Sequence, residues 1–399
     1  MKVEPKVRGF ICTTAHPEGC RQHVRQMIDY VEAQMPLVGP KRVLVIGAST
    51  GYGLGARIAT AFGASTATLG VMFERPGTAK RTASAGWYNT QAFEAEAHKR
   101  QLYAKTINGD AFQPETKQAV IETLRRDLGS IDLLIYSVAA PRRKGPEGEL
   151  WESVIKPVGG SFTGKTLDLS QNEVKEIRVE AATEQEVEAT IKVMGGEDWA
   201  AWVDALAEAK LLADGCQTLA FSYIGPGITH AIYRSGSIGK AKEDLDRTAV
   251  LLRERYRDLG LNARVAVNKA LVTQASAAIP SVPLYITLLY QVMKKAQKHE
   301  GYGEQMYRLL VDKLYTAKPV YDEEGRLRVD DYEMEPEIQN EVLSRWQQVS
   351  TENIGILGDI EGYWSDFYEL FGFGVPGVDY EADFDLEAEN HYPGSTLEA

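Results

Sequence analysis

The apolar run Val43-Leu44-Val45-Ile46 leads straight into a glycine-rich stretch, Gly47 to Gly55, and Leu54, Ile58, Ala61 and Phe62 then recur at helical spacing. That order predicts a buried strand, a tight turn and an amphipathic helix. The alternation repeats. Thr66 to Phe73, Leu102 to Asn108, Ile131 to Val138, Gln217 to Tyr223 and Ala263 to Val267 read as further strands. Pro114 to Leu128 carries Val120, Leu124 and Leu128 on one stripe, and Lys240 to Leu259 carries Leu245, Ala249, Leu252 and Tyr256. Near-continuous apolar strands separated by amphipathic helices predict a parallel sheet covered on both faces.

Two segments break this rhythm. Residues 1–40 precede the first strand and hold a helix around Arg21 to Gln34. Residues 141–216 separate two strands by more than one helix; Thr166 to Ala181 alternates like a hairpin, and a helix follows from Glu184. The expected class is therefore α/β, a Rossmann-like doubly wound parallel sheet with an inserted hairpin and helical lid and additional N- and C-terminal helices. The chain reads as one large unit over 1–399. Within it, 41–140 forms the first half of a dinucleotide-binding core, 141–216 the insertion, and 217–280 the second half of the core. Residues 281–399 form a helical and aromatic region on the substrate side, with apolar helical sequence at Leu284 to Gln297 and aromatics between Gly362 and Asp385.

Composition narrows the function classes. The chain has 399 residues, 44% hydrophobic and 25% charged, which is ordinary for a folded soluble protein. Its formal net charge of −12 argues against nucleic acid or an anionic membrane as the main partner. No apolar run approaches a membrane span, and the N-terminus lacks the apolar core of a secretory signal. Three cysteines, Cys12, Cys20 and Cys216, fit a reducing compartment. A cytoplasmic protein is expected.

The turn Gly47-Ala48-Ser49-Thr50-Gly51-Tyr52-Gly53 between strand and helix suits a pyrophosphate, which needs close backbone approach and the free N–H groups of a helix start. Glu74 ends the second strand about twenty residues further on, where an acidic side chain accepts from ribose hydroxyls and repels a 2′-phosphate. NADH is thus the expected cofactor. Asp110 after the third strand and Ser137 to Pro141 after the fourth are rim positions. Tyr233 and Lys242 stand just before and within the helix that follows the fifth strand, which Tyr223 closes. A lysine ammonium near a nicotinamide ribose can hold its hydroxyls and favour a nearby tyrosinate.

Many of these segments together resemble the FabV-type trans-2-enoyl-acyl-carrier-protein reductases and the related trans-2-enoyl-CoA reductases. The marks are RGFICTTAHPEGC at 8–20, VLVIGASTGYGLGAR at 43–57, FERPGT at 73–78, INGDAF at 107–112, YSVAAPRR at 136–143, SYIGP at 222–226, YRSGSIGKAK at 233–242 and NKALVTQASAAIP at 268–280. The resemblance implies NADH-dependent reduction of the enoyl double bond, the last step of the fatty acid elongation cycle, on acyl-carrier-protein or CoA thioesters. It implies that Tyr233 is the proton donor, that Lys242 holds the nicotinamide ribose and that Tyr223 binds the thioester carbonyl. Gly47 to Tyr52, Phe73, Glu74, Asp110, Ala111, Val138, Ala139, Leu271, Val272 and Thr273 would line the NADH site. The resemblance also leans toward a monomer.

Other readings carry less. Cys12, His16, Cys20 and His23 are zinc ligand types in a short span, but their spacing fits no finger or ribbon. No metal is expected. No second glycine fingerprint is read, so no flavin is expected either. Tyr290-x-x-x-Lys294 has the spacing of a short-chain dehydrogenase pair, which would make the protein a ketone or alcohol dehydrogenase, but it lies after the last strand. A dinucleotide-binding sensor without turnover would need neither Tyr233 nor Lys242. Arg142, Arg143 and Lys144 read as a solvated loop or as a docking patch for an acidic carrier.

Overall fold

The computed structural model describes residues 1–8, 11–145, 147–389 and 395–396. Seven parallel strands form its centre: β1 (Arg42–Ile46), β2 (Ala67–Met72), β3 (Ala104–Asn108), β4 (Ile131–Tyr136), β5 (Leu212–Ser222), β6 (Asn262–Val267) and β7 (Leu327–Arg328). Their spatial order is β7-β6-β5-β4-β1-β2-β3, and Ser395–Thr396 pairs beside β3. The order reverses direction between β1 and β4, where Val43 lies opposite Leu133 and Ile46 opposite Tyr136. A crevice opens at such a switch point, at the carboxyl ends of the strands.

The sheet is buried on both faces because successive side chains point to opposite sides. Val43, Val45, Leu133 and Ile135 join Ile28, Leu54, Ile58 and Phe93 in one core layer. Leu44, Ile46 and Leu134 join Trp199, Trp202, Leu206, Leu245 and Leu252 in the other. The expected strands all form, each within a few residues of its predicted ends.

The segment 141–216 divides into two parts. Its hairpin, Phe162–Asp168 paired antiparallel with Glu173–Val179, begins four residues before the alternating stretch suggested. It is tied to the C-terminal region, since Lys165 Nζ donates to Trp346 O and Val349 O, both at 3.0 Å. The helix Glu197–Glu208, by contrast, is a crossover helix of the sheet: Trp199, Trp202, Val203 and Leu206 are fully buried against it. It belongs to the covering layer rather than to a lid.

The helix Ala85–Lys99 was not legible in the hydrophobic pattern. It is buried on several sides at once, so Trp87, Tyr88, Asn89, Thr90, Phe93 and Glu94 are all buried and no single apolar stripe exists. The N-terminal helix Pro17–Glu32 starts with His16 as its cap, whose Nδ1 accepts from Gly19 N–H at 3.0 Å. The His16 N–H donates to Phe371 O at 2.8 Å, and the His16 ring meets the edges of Tyr380 and Phe384. Among the described residues no helix is long and apolar enough to cross a membrane.

Candidate active site

A crevice of about 450 Å³ lies at the ends of β1, β2, β3 and β4. Its floor is the turn after β1. Gly47 has φ +84° there, and a Cβ on it would stand 2.1 Å from Ser137 O. A Cβ on Gly53 would stand 1.9 Å from Gly47 O. Only glycine lets the turn fold onto the β4 end and the helix Gly51–Gly63 start beneath the crevice. Free N–H groups of the first helical turn are then available to an anion in the crevice.

Fifteen of the residues singled out from sequence line this crevice: Gly47, Ser49, Thr50, Gly51, Tyr52, Phe73, Glu74, Asp110, Ala111, Ser137, Val138, Ala139, Ala140, Pro141 and Thr273. Ala48, Gly53, Leu271 and Val272 do not line it and are buried. Phe112, Gln274, Tyr302 and Leu370 also line it and were not singled out. Tyr302 comes from a distant helix, and its hydroxyl donates to Val272 O. Glu74 accepts from Ser49 Oγ at 2.6 Å. Burial raises its pKa, against hydrogen bonds from Ser49 and Ser84.

Tyr223, Tyr233 and Lys242 stand beside the crevice rather than in its lining. Tyr52 connects them to it: its ring packs edge-on to Phe221 at 6.3 Å, and Lys242 Nζ donates to Phe221 O at 3.4 Å. Burial pushes the Lys242 pKa down to about 8, opposed by Asp246. The Tyr223 and Tyr233 rings are 5.1 Å apart. The Tyr233 hydroxyl has no protein hydrogen-bond partner among the described residues, and burial raises its pKa. The Tyr223 hydroxyl lies 3.1 Å from Glu333 Oε1. Glu333 gave no sequence signal, because it sits in the acidic run Asp330 to Glu337, which reads as a solvated surface.

The other sequence readings resolve individually. Tyr290 is fully buried, and its hydroxyl accepts from Val272 N–H at 3.1 Å, while Lys294 Nζ pairs with Asp359 at 2.6 Å. That pair holds the C-terminal helices in place, which removes the basis for a ketone or alcohol dehydrogenase centred on Tyr290. Arg143 corrects the docking-patch reading. It is buried, donates to Lys192 O at 2.8 Å, pairs with Glu197 at 3.1 Å and lies over the Phe112 and Trp151 rings. Arg142 and Lys144 are exposed. Cys12 Sγ donates to Thr14 O, and among the described residues no three His, Cys, Asp or Glu side chains converge on one point.

A switch-point crevice over a glycine turn, flanked by a lysine and two tyrosines, defines a dinucleotide-dependent oxidoreductase of the Rossmann class. Residues 81–315 match the family model described as the trans-2-enoyl-CoA reductase catalytic region, and residues 2–79 match the NAD(P)H binding domain of trans-2-enoyl-CoA reductase. The chain belongs to the trans-2-enoyl-CoA reductase family. A relative from Pseudomonas paraeruginosa, named enoyl-acyl-carrier-protein reductase (NADH), is 55% identical over 98% of each chain. A relative from Ruminiclostridium cellulolyticum, named trans-2-enoyl-CoA reductase (NADH), is 52% identical over 97% of this chain and 98% of its own. The crystal structure of Treponema denticola trans-2-enoyl-CoA reductase in complex with NAD has a TM-score of 0.92 at 46% identity, covering 96% of this chain and 98% of that one.

Residues 321–384 match a model described as an enoyl reductase FAD binding domain, which leaves the expected absence of a flavin without support. The segment even holds Gly372-x-Gly374-x-x-Gly377, a glycine pattern passed over in the sequence. Its setting is wrong for a dinucleotide. It follows the helix Ile360–Glu369 instead of a strand, and Gly372 packs against His16 O and Cys20 N. Tyr363 and Phe367 are fully buried, and only Leu370 of the segment reaches the crevice. The glycine pattern itself is therefore not a dinucleotide-binding turn.

Proposed function

We propose that this protein reduces the trans-2 double bond of enoyl thioesters, carried on acyl carrier protein or CoA, to saturated acyl thioesters with NADH. The observation that carries the reading is the Tyr223–Tyr233 pair, which lies beside a dinucleotide crevice with the Tyr233 hydroxyl free of protein partners among the described residues.

NADH, when bound, supplies a hydride for the β-carbon. The turn Gly47 to Gly51 and the helix start hold its pyrophosphate, and Glu74 receives the adenosine ribose. Lys242 holds the nicotinamide ribose. As the β-carbon gains hydride, negative charge develops on the thioester oxygen. The hydroxyls of Tyr223 and Tyr233 would donate to that charge and stabilise the transition state more than the ground state. Tyr233 then delivers the proton that ends on the α-carbon, directly or through the enol. Protons and electrons balance: one hydride and one proton saturate the bond, and NAD⁺ leaves.

The experiment is NADH oxidation with a short trans-2-enoyl-CoA and with the same acyl group on acyl carrier protein, with NADPH alongside. NADH-dependent turnover is expected on at least one thioester. Folded, NADH-binding protein that turns over neither would overturn the reading.

A further inference from the structure

Glu333 lies just past β7, at the ligand end of the sheet, and is fully buried. One carboxylate oxygen, Oε1, lies 3.1 Å from the Tyr223 hydroxyl and 2.7 Å from the Tyr285 hydroxyl. The other, Oε2, accepts from Ala270 N–H at 2.7 Å. Tyr285 in turn accepts from Gln339 Nε2 at 3.0 Å, so its single hydrogen is committed to Oε1. Glu333 therefore joins the substrate-side tyrosine to the loop that enters Leu271 to Thr273. The mechanism above gives it no part.

Its protonation state decides what Tyr223 can do. A phenol has one hydrogen. An ionised Glu333 only accepts, so it draws the Tyr223 hydrogen toward itself and turns the oxygen lone pairs outward. A developing oxyanion would then meet lone pairs instead of a donor. A protonated Glu333 can donate to the Tyr223 oxygen, and the phenolic hydrogen is released toward substrate. We infer that Glu333 is the positioning residue for Tyr223, and that the enzyme turns over with Glu333 protonated and donating to the Tyr223 oxygen. This rests on the reading that Tyr223 meets the thioester carbonyl.

The surroundings favour the proton. Burial pushes the Glu333 pKa up to about 7; the Tyr285 hydroxyl, the Ala270 N–H and Lys269 oppose the shift, while Asp330 adds to it. The groups facing it from neighbouring elements are Tyr52, Tyr223, Tyr285 and Lys269, with Asp330 on its own segment. Lys269 is itself buried, donates to Ala270 O at 3.0 Å and has its pKa lowered to about 8 by burial. Asp330 is held by Arg328 at 2.6 Å.

The test is the pH profile of kcat with saturating NADH and enoyl-CoA. Wild type should lose turnover as pH rises above about 7, about tenfold per pH unit at the limit of a single ionisation. Glu333→Gln should keep turnover at low pH within a few-fold and lose that limb. Its amide can donate to the Tyr223 oxygen while its carbonyl accepts from Ala270 N–H; the Tyr285 hydrogen loses its Oε1 acceptor, a loss that combining Glu333→Gln with Tyr285→Phe removes. Tyr285→Phe removes a hydrogen bond to the carboxylate, so the limb should move to higher pH without vanishing. An unchanged limb in Glu333→Gln, or a variant equally impaired at every pH, would overturn the proposal. Tyr223→Phe separates the two readings. If it keeps wild-type kcat, Tyr223 does not meet substrate and both fail. If it loses turnover while Glu333→Gln retains the limb, only the role of Glu333 fails.

Discussion

The ring of Tyr233 stands edge-on to that of Tyr223, 5.1 Å between centroids and 74° between planes. The two hydroxyls have different company: Glu333 faces one, and no protein group among the described residues bonds the other. Replacing Tyr233 by Phe keeps the ring contact and removes only the free hydroxyl. Turnover should fall about 10²-fold or more, the usual scale of general acid catalysis, with NADH affinity unchanged. Steady-state kinetics beside an NADH titration by fluorescence checks this; near-wild-type kcat would refute the assignment.

Lys242 offers a charge that is lost in mildly alkaline solution. Its pKa of about 8 lies below the ordinary lysine value, so the ammonium is full below that pH and fades above it. NADH affinity of the free enzyme should weaken as pH climbs past about 8. Lys242→Met should bind NADH about tenfold more weakly at pH 7, and the dependence should vanish. A variant retaining the wild-type profile would place the titrating group elsewhere.

Glu74 is expected to decide between dinucleotides. Its carboxylate lies in the crevice beside Ser49, where a 2′-phosphate would meet a partly desolvated negative charge. Glu74→Ala should raise kcat/KM for NADPH relative to NADH by about tenfold. An unaltered ratio from paired assays would remove Glu74 from cofactor choice.

Gly53→Ala puts a Cβ 1.9 Å from Gly47 O, and the turn has to open. The expected cost is about 1–3 kcal/mol of stability, the range for overpacking a close contact, together with loss of NADH binding. Thermal unfolding with and without NADH measures both. A variant as stable as wild type that binds NADH equally well would contradict the geometry.

Arg143 should matter to folding and little to turnover. Arg143→Ala removes the donor to Lys192 O and the cation between the Phe112 and Trp151 rings, for about 1–3 kcal/mol. Denaturant unfolding should show it, while kcat on enoyl-CoA stays within about twofold. Charge reversal at the exposed Arg142 and Lys144 is the appropriate probe of carrier docking.

What could be seen in the sequence follows from where burial is one-sided or complete. The strands were legible because burial on both faces leaves continuous apolar runs such as Val43 to Ile46. The glycine turn was legible because its glycines, its strand and its helix are neighbours in the chain. Glu333 was not, because its partners Tyr285 and Tyr223 lie 48 and 110 residues away and its own surroundings are acidic. The helix Ala85–Lys99 was hidden for the opposite reason, since burial on several sides erases periodicity. Arg143 misled because a basic triplet looks the same whether its middle member faces water or an aromatic pair.

The seam between His16 and Phe371 sets an order of events during synthesis. The face of the N-terminal helix that carries Val24, Ile28 and Val31 packs with Leu54 and Ile58, which leave the ribosome soon afterwards. The His16 end waits for the turn at 371–380, which is made about 355 residues later in the chain. At roughly 5–20 residues per second the delay is on the order of twenty seconds to a minute. One end of this helix can thus settle while the nascent chain is short, and the other stays open until the distant turn that closes over it has been made.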